Sequence, residues 1–265
     1  MSLIGRIHGR SAYDQRVHTL ASHLAELIPQ KAKVLDIGCG DGLIAHLIMQ
    51  RRPEVKITGV DVLLREKTFI PIETFDGRVV PFTDDSFDVA MFVDVLHHTE
   101  DPMILLREAV RVAREVVVIK DHTCNGLLAG PTLRFMDWVG NAHHGVALPY
   151  NYWSQRKWLE VFDSLDLTIS VWRRELGLYA RPANWIFGRS LHFVARLDLE
   201  AKSLKSQSST AGLSLRDEGS ESDSVRTIRS NAFGEFFGNS TIVRDTHDNP
   251  VRRVMLQWLS QQWLS

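Results

Sequence analysis

The chain has 265 residues, a formal net charge of -1, 44% hydrophobic and 24% charged residues, and two cysteines, the profile of an ordinary soluble globular protein. With no excess of positive charge there is no global field to capture a phosphate backbone, so no nucleic-acid partner is expected. Cys39 and Cys124 cannot by themselves frame a disulfide scaffold or complete a four-ligand zinc site, and no apolar run reaches the roughly 18 residues that a membrane span needs. A cytoplasmic protein without a transmembrane segment is the expectation.

Val17, Leu20, Leu24, Leu27 and Ile28 recur at helical spacing and predict an amphipathic helix over 11–28, ended by Pro29. A strand-helix-strand pattern follows: a strand from Lys33 to Ile37, a helix from Leu43 to Arg51 stopping before Pro53, and a strand from Lys56 to Val62. Further on, the pattern predicts a strand from Asp88 to Val93, a helix from Pro102 to Arg114, and a very apolar strand from Glu115 to Ile119. A helical stretch around Trp158 to Phe162 and two closing strands, Leu167 to Trp172 and Ser190 to Leu197, complete it, the last strand antiparallel. Strands apolar on both faces, alternating with helices, imply a doubly wound, mostly parallel seven-stranded sheet covered on both sides, a Rossmann-like α/β fold.

Composition changes near residue 198. Between Glu200 and Ser224 there are eight serines mixed with charges, and only Leu204, Leu213 and Leu215 could anchor a core. Such a stretch buries too little apolar surface to offset its ordering entropy. The expected organisation is a catalytic or binding domain over 1–198, a disordered linker over 199–250, and a short amphipathic helix over 251–265 carrying Val251, Val254, Met255, Trp258, Leu259 and Trp263 on one face.

The densest information lies in Val34-Leu-Asp-Ile-Gly-Cys-Gly-Asp-Gly42, where an acid ends a strand and glycines at alternate positions open a helix. Gly38, Gly40 and Gly42 allow positive φ and let a ligand lie on bare backbone beside helix N-terminal amides. A second acid, Asp61, ends the next strand, where it can accept hydrogen bonds from a ribose diol, each worth roughly 1.5–3 kcal/mol when one partner is charged. The ligand expected is therefore a nucleoside. A dinucleotide site uses G-x-G-x-x-G to approach a pyrophosphate, and an acid beside that group would repel it. The spacing here is G-x-G-x-G after Asp36, which suits a ligand carrying an ammonium and a sulfonium.

These residues, with Gly59-Val-Asp61, Val80-Pro-Phe-Thr-Asp-Asp-Ser-Phe-Asp88 and Val95-Leu-His-His98 in order, resemble the class I S-adenosylmethionine-dependent methyltransferases, specifically the type 11 group that includes the ubiquinone/menaquinone biosynthesis C-methyltransferases. The resemblance covers about residues 15–197. It implies S-adenosyl-L-methionine as cofactor, with Asp36, Gly38, Gly40 and the backbone of Cys39 along its methionine portion. It further implies Asp61 on the ribose, Val62 on the adenine, and Asp94 to His97 as a floor beneath the sulfonium. Asp76 and Gly77 stand where the family has an acid reaching the adenine amino group, although the usual Gly-Asp order is altered here to Asp76-Gly77-Arg78. Non-catalytic binding of the cofactor by a scaffold or sensor, and a nicotinamide-dependent oxidoreductase, are the competing readings.

Transfer to a hydroxyl or phenol needs a base. His97-His98 after one strand and Asp121-His122 after another are the candidates, because ligands in doubly wound sheets sit at the carboxyl ends of strands. No metal is expected: among His97, His98, Asp121, His122, His143 and His144 no pair has helical ligand spacing, and adjacent histidines are expected to diverge. The stretch from Thr123 to Trp153 is too long for a simple connection and carries Leu133, Phe135, Met136, Trp138, Tyr150, Tyr152 and Trp153 with Arg134 and Asp137. It reads either as an aromatic lid over a small apolar or aromatic acceptor or as a short helix, 132–139, capping the core.

Overall fold

A computed structural model describes residues 3–141, 149–179, 187–188 and 191–199. Helix α1 (Leu3–Leu27) precedes β1 (Lys33–Ile37), α2 (Leu43–Arg51), β2 (Lys56–Asp61), β3 (Ile72–Thr74), β4 (Phe87–Val93), α3 (Pro102–Val112), β5 (Ala113–His122), α4 (Ala129–Asn141), α5 (Gln155–Ser164), β6 (Thr168–Arg173) and β7 (His192–Asp198). The sheet order is β3-β2-β1-β4-β5-β7-β6. Strands β1 to β5 pair in parallel, and β7 runs antiparallel to both β5 and β6. This is the seven-stranded Rossmann-like sheet of the sequence expectation.

Local chemistry sets the ends. Asp101 caps α3 by accepting from the Met103 amide at 3.0 Å, and Pro102 at the first helical position gives up no amide that the helix would have used. Ser154 caps α5 through the Lys157 amide at 3.2 Å. Both faces of the sheet are covered. Leu105, Leu106, Ala109, Trp158 and Phe162 pack on one side, and Leu20, Leu24, Ile48, Leu176 and Leu178 on the other. Because β1 lies between β2 and β4, the chain reverses its winding there, and a crevice opens at the carboxyl ends of β1 and β4.

The structure departs from the sequence pattern in several places. Helix α1 starts at Leu3 rather than residue 11. Strand β5 runs on through His122 instead of stopping at Ile119, so Asp121 and His122 are strand residues in register with Phe193 and His192. Strand β3 has three residues, of which only Ile72 is apolar, too short to carry a period. The expected capping helix is longer, beginning at Ala129. The packed chain reaches Leu199, which is buried and donates its amide to Glu115 at 2.9 Å, one residue past the expected boundary. The expected linker and the C-terminal helix over 251–265 lie outside the described residues beyond it, as do His143 and His144. No helix among the described residues is long and apolar enough to cross a membrane.

Phe193 of β7 ties the antiparallel edge to this core: it is fully buried, stacked on Trp172 at 4.3 Å and edge-on to Trp158 at 5.2 Å. Phe193→Ala should lower the free energy of unfolding by about 3–5 kcal/mol, measured by urea titration. A loss under about 1 kcal/mol would mean that this edge does not share the cooperative core.

Candidate active site

The glycine turn after β1 is shaped by close approach on one side and emptiness on the other. Gly38 has φ 76°, its amide donates to Val60 at 2.7 Å, and a Cβ there would lie 2.6 Å from Val95 Cγ1. Gly40, with φ 63°, would meet nothing within 4 Å, so its bare backbone faces open space. Its amide donates to Asp61 Oδ2 at 2.8 Å, while Asp61 Oδ1 accepts from the Leu63 amide at 2.9 Å. Each oxygen of Asp61 retains capacity for one further donor, which is what a ribose diol requires. The side chain of Cys39 turns away and packs on Gly59, so only its backbone borders the turn.

Asp36 is the unusual residue. It is 2% exposed, and its Oδ1 has no hydrogen-bond partner among the described residues. Burial, aided by repulsion from Asp61, pushes its carboxyl up to about 7. A buried acid left short of a partner at the mouth of an open glycine turn fits a ligand that brings a cation, as the methionine ammonium of S-adenosylmethionine does. At the other end, the Val62 side chain is 63% exposed and Gly77 lies against it. Together they could flank an adenine ring. Asp76 is exposed and its Oδ1 accepts from the amides of Arg78 and Val79, both at 2.8 Å. That carboxylate therefore works first as a turn former, and those two bonds hold it below the ordinary carboxylate range.

Beyond the turn, the ends of β4 and β5 carry a cluster of ionisable groups. Asp94 follows β4 with φ 57°, a left-handed conformation held by its amide bonding to Lys120 O at 2.9 Å. Its carboxylate pairs with the Lys120 ammonium, which is fully buried and also lies 3.4 Å from His192 Nδ1. Burial would raise Asp94, but the Lys120 ammonium holds it well below its usual range. His192 Nε2 in turn meets the Tyr179 hydroxyl at 3.2 Å. None of Lys120, His192 and Tyr179 was singled out from sequence. The available signal was a lysine interrupting an apolar strand just before Asp121-His122.

His97 lies in a single 3-10 turn, Leu96–His98, and is 2% exposed. Its Nδ1 donates to Asp121 Oδ1 at 2.6 Å, and its Nε2 lies 3.4 Å from Asp137 Oδ2 on α4. Burial opposes its charge, yet the two carboxylates overcome this and raise it to about 10. The two carboxylates thus favour the imidazolium form of His97, which has no lone pair to offer. Asp121 is wholly engaged: it accepts from the Leu96 amide at 3.1 Å, from His97, and from the His122 amide at 2.7 Å. It orients its neighbours.

His122 differs. Burial first, then the charges of Lys120 and His97, keep its ring neutral. Its Nδ1 lies 3.4 Å from Asp121 Oδ1 and 3.6 Å from Asp94 Oδ1, so the proton of the neutral ring belongs on Nδ1 and the lone pair on Nε2. The rings of His97 and His98 do not diverge as expected: their centroids are 4.0 Å apart, and burial beside the His97 cation lowers His98 to about 4. Asp94, His97, Asp121 and His122 bring ligand-type atoms within 4.8 Å of one another, but their charges are met inside the cluster by Lys120 and the His97 proton.

The segment after β5 closes over this cluster. The Tyr152 hydroxyl donates to Asp137, and its ring stacks on His97 at 5.6 Å with an interplanar angle of 24°. Leu133 is fully buried, whereas Leu127, Leu128 and Trp138 are exposed. The segment is both a cap and an apolar surface.

The methyltransferase-domain family model matches residues 7–171, well over half of the chain. The chain belongs to this methyltransferase family. It is similar to an uncharacterized methyltransferase of a Mycobacterium species, 35% identical over 185 residues that cover 63% of this chain and 73% of that protein. It is also similar to 27-O-demethylrifamycin SV methyltransferase of Amycolatopsis mediterranei, 31% identical over 110 residues that cover 36% of this chain and 40% of that protein. The chain thus spans well under half of the latter's length. An S-adenosylmethionine-dependent methyltransferase from Mesorhizobium loti has the same fold, with a TM-score of 0.52 and 17% identity, covering 67% of this chain and 96% of that one. This methyltransferase uses S-adenosyl-L-methionine.

The state of Asp36 makes cofactor affinity pH-dependent. A carboxyl raised to about 7 must be ionised to hold an ammonium, so binding releases a proton below that pH. Affinity measured by calorimetry should be level above pH 7 and fall by up to about tenfold per unit below it, a slope that Asp36→Asn abolishes. Equal slopes in the two proteins would mean that Asp36 does not face the ligand.

Proposed function

We propose that this methyltransferase transfers a methyl group to a hydroxyl of a bulky apolar or aromatic small molecule, with His122 as the general base. The observation that carries the reading is the neutral His122 ring at the carboxyl end of β5, its Nδ1 turned toward two carboxylates. That arrangement leaves Nε2 to accept a proton and gives the resulting imidazolium two partners. S-adenosylmethionine supplies the activated methyl group. Asp36, the Gly38–Gly40 backbone, Asp61 and Val62 hold and orient it, and Gly77 flanks the adenine end.

Two further facts support an apolar hydroxyl acceptor. Leu127, Leu128 and Trp138 expose apolar surface on the cap that borders the cluster. The Amycolatopsis relative is named for methylating an oxygen of a rifamycin.

Extracts of cells lacking the protein, incubated with the purified enzyme and S-adenosylmethionine, should yield a product heavier than its precursor by one CH2, resolved by mass spectrometry. With that precursor, His122→Asn should lower the maximal rate by about 10²–10⁴-fold while calorimetric affinity for S-adenosylhomocysteine changes little. A variant that turns over at the normal rate would overturn the base assignment.

A further inference from the structure

The base does not stand alone, and its nearest charged neighbour is held from the cap. The His97 and His122 rings meet edge to face, with centroids 4.6 Å apart and their Nδ1 atoms 3.4 Å apart. We propose that His97, clamped between Asp121 of the sheet and Asp137 of α4, is a positioning residue that acts through His122: its fixed positive charge keeps the neighbouring ring unprotonated, and it does so only while α4 is seated. The proposal rests on the reading of His122 as the base.

The geometry carries this in three steps. Two protonated rings with nitrogens 3.4 Å apart would repel strongly in a buried site, so only one can hold the extra proton. The partners decide which. His97 has a carboxylate on each nitrogen, Asp121 at 2.6 Å and Asp137 at 3.4 Å, whereas His122 sees its nearest carboxylate oxygens at 3.4 and 3.6 Å and also faces Lys120. His97 wins the proton, and its raised value and the lowered one of His122 express the same competition.

The third step concerns the cap. Of the two carboxylates on His97, one comes from β5 and cannot leave, while the other comes from α4 and is itself held by the Tyr152 hydroxyl. The Asn151 amide adds a bond to His97 O at 3.2 Å, so both ends of the capping segment converge on this turn. Lifting α4 removes Asp137, weakens the hold on the His97 proton and lets it pass toward His122. An open enzyme would then carry a protonated, inactive base and a closed one a neutral, active base, so deprotonation of the acceptor is confined to the closed state.

The charged and titratable groups around this pair are Lys120 and Asp121 on β5, Asp94 after β4, His98 in the same turn, Asp137 on α4, Tyr152 in the returning segment and His192 on β7. All but Asp137 and Tyr152 belong to the sheet or its edge turns. The cap therefore acts on the pair through Asp137 and Tyr152.

The test needs no acceptor. Full-length protein saturated with S-adenosylhomocysteine and carrying ring-labelled histidine is titrated by NMR, with His122 assigned from the His122→Asn spectrum. In the wild type, His97 should remain protonated through pH 8 and His122 neutral above pH 6. In His97→Gln, the His122 midpoint should rise by about one pH unit or more, because the repelling charge is gone. In Asp137→Asn, which leaves Asp121 in place and serves if the first variant fails to fold, His97 should release its proton at lower pH than in the wild type. An unchanged His122 midpoint in His97→Gln, or a wild-type His97 that is neutral at pH 7, would overturn the proposal. A shifted midpoint together with full activity of His122→Asn would instead overturn the base assignment and leave the coupling intact.

Discussion

A buried charge must be met by another charge, and the architecture of this enzyme at the carboxyl edge of its sheet follows from that requirement. Asp94 pairs with Lys120, and His97 with Asp121 and Asp137, Lys120 and Asp121 with no exposure at all, while burial pulls Lys120 toward its neutral form. Removing one partner of such a buried pair costs about 3–5 kcal/mol. Lys120 holds Asp94 in its left-handed conformation, Asp121 pins the 3-10 turn to β5, and His97 holds α4 over the sheet. The cap is fastened by electrostatics as well as by Leu133.

The cofactor turn works by the opposite principle, an incomplete set. Asp61 is satisfied by the amides of Gly40 and Leu63, which makes it rigid before any ligand arrives, whereas Asp36 is buried with an oxygen unmatched. The rigid acid and the unmatched acid sit on neighbouring strand ends, in register through Asp36 with Gly59 and Ile37 with Val60. On the proposed placement of the cofactor, Asp61 would offer fixed geometry to a neutral diol, and Asp36 a carboxyl whose ionised form a cation would stabilise.

Much of this was legible in the sequence, for reasons that particular residues make plain. Strands β1 and β2 were readable because they are apolar on both faces and bounded by the glycine turn and Pro53. The glycine turn and the strand-terminal acids Asp36 and Asp61 were readable because glycine spacing and strand ends are local features. What was not legible depends on contacts distant in sequence. His97 and His122 look equivalent as residues at strand ends, and Asp137, fifteen positions beyond His122, is one of the contacts that separate their charge states. Lys120 is a charge in an apolar strand, whose partner Asp94 lies 26 residues earlier. Strand β3 escaped because its pairing with β2, rather than its own three residues, makes it a strand.

The charge balance of the cluster bears directly on the chemistry. Asp94, Asp121 and Asp137 are met by the Lys120 ammonium and the His97 imidazolium, and Arg16 of α1 also acts on Asp94. On the proposed reading, methylating a hydroxyl removes the positive charge from the sulfonium and produces a proton, which His122 would take beside the same carboxylates. The positive charge thus moves a short distance within one low-dielectric basin whose fixed groups need not rearrange, and so the stabilisation of the starting and ending charge comes from the same residues.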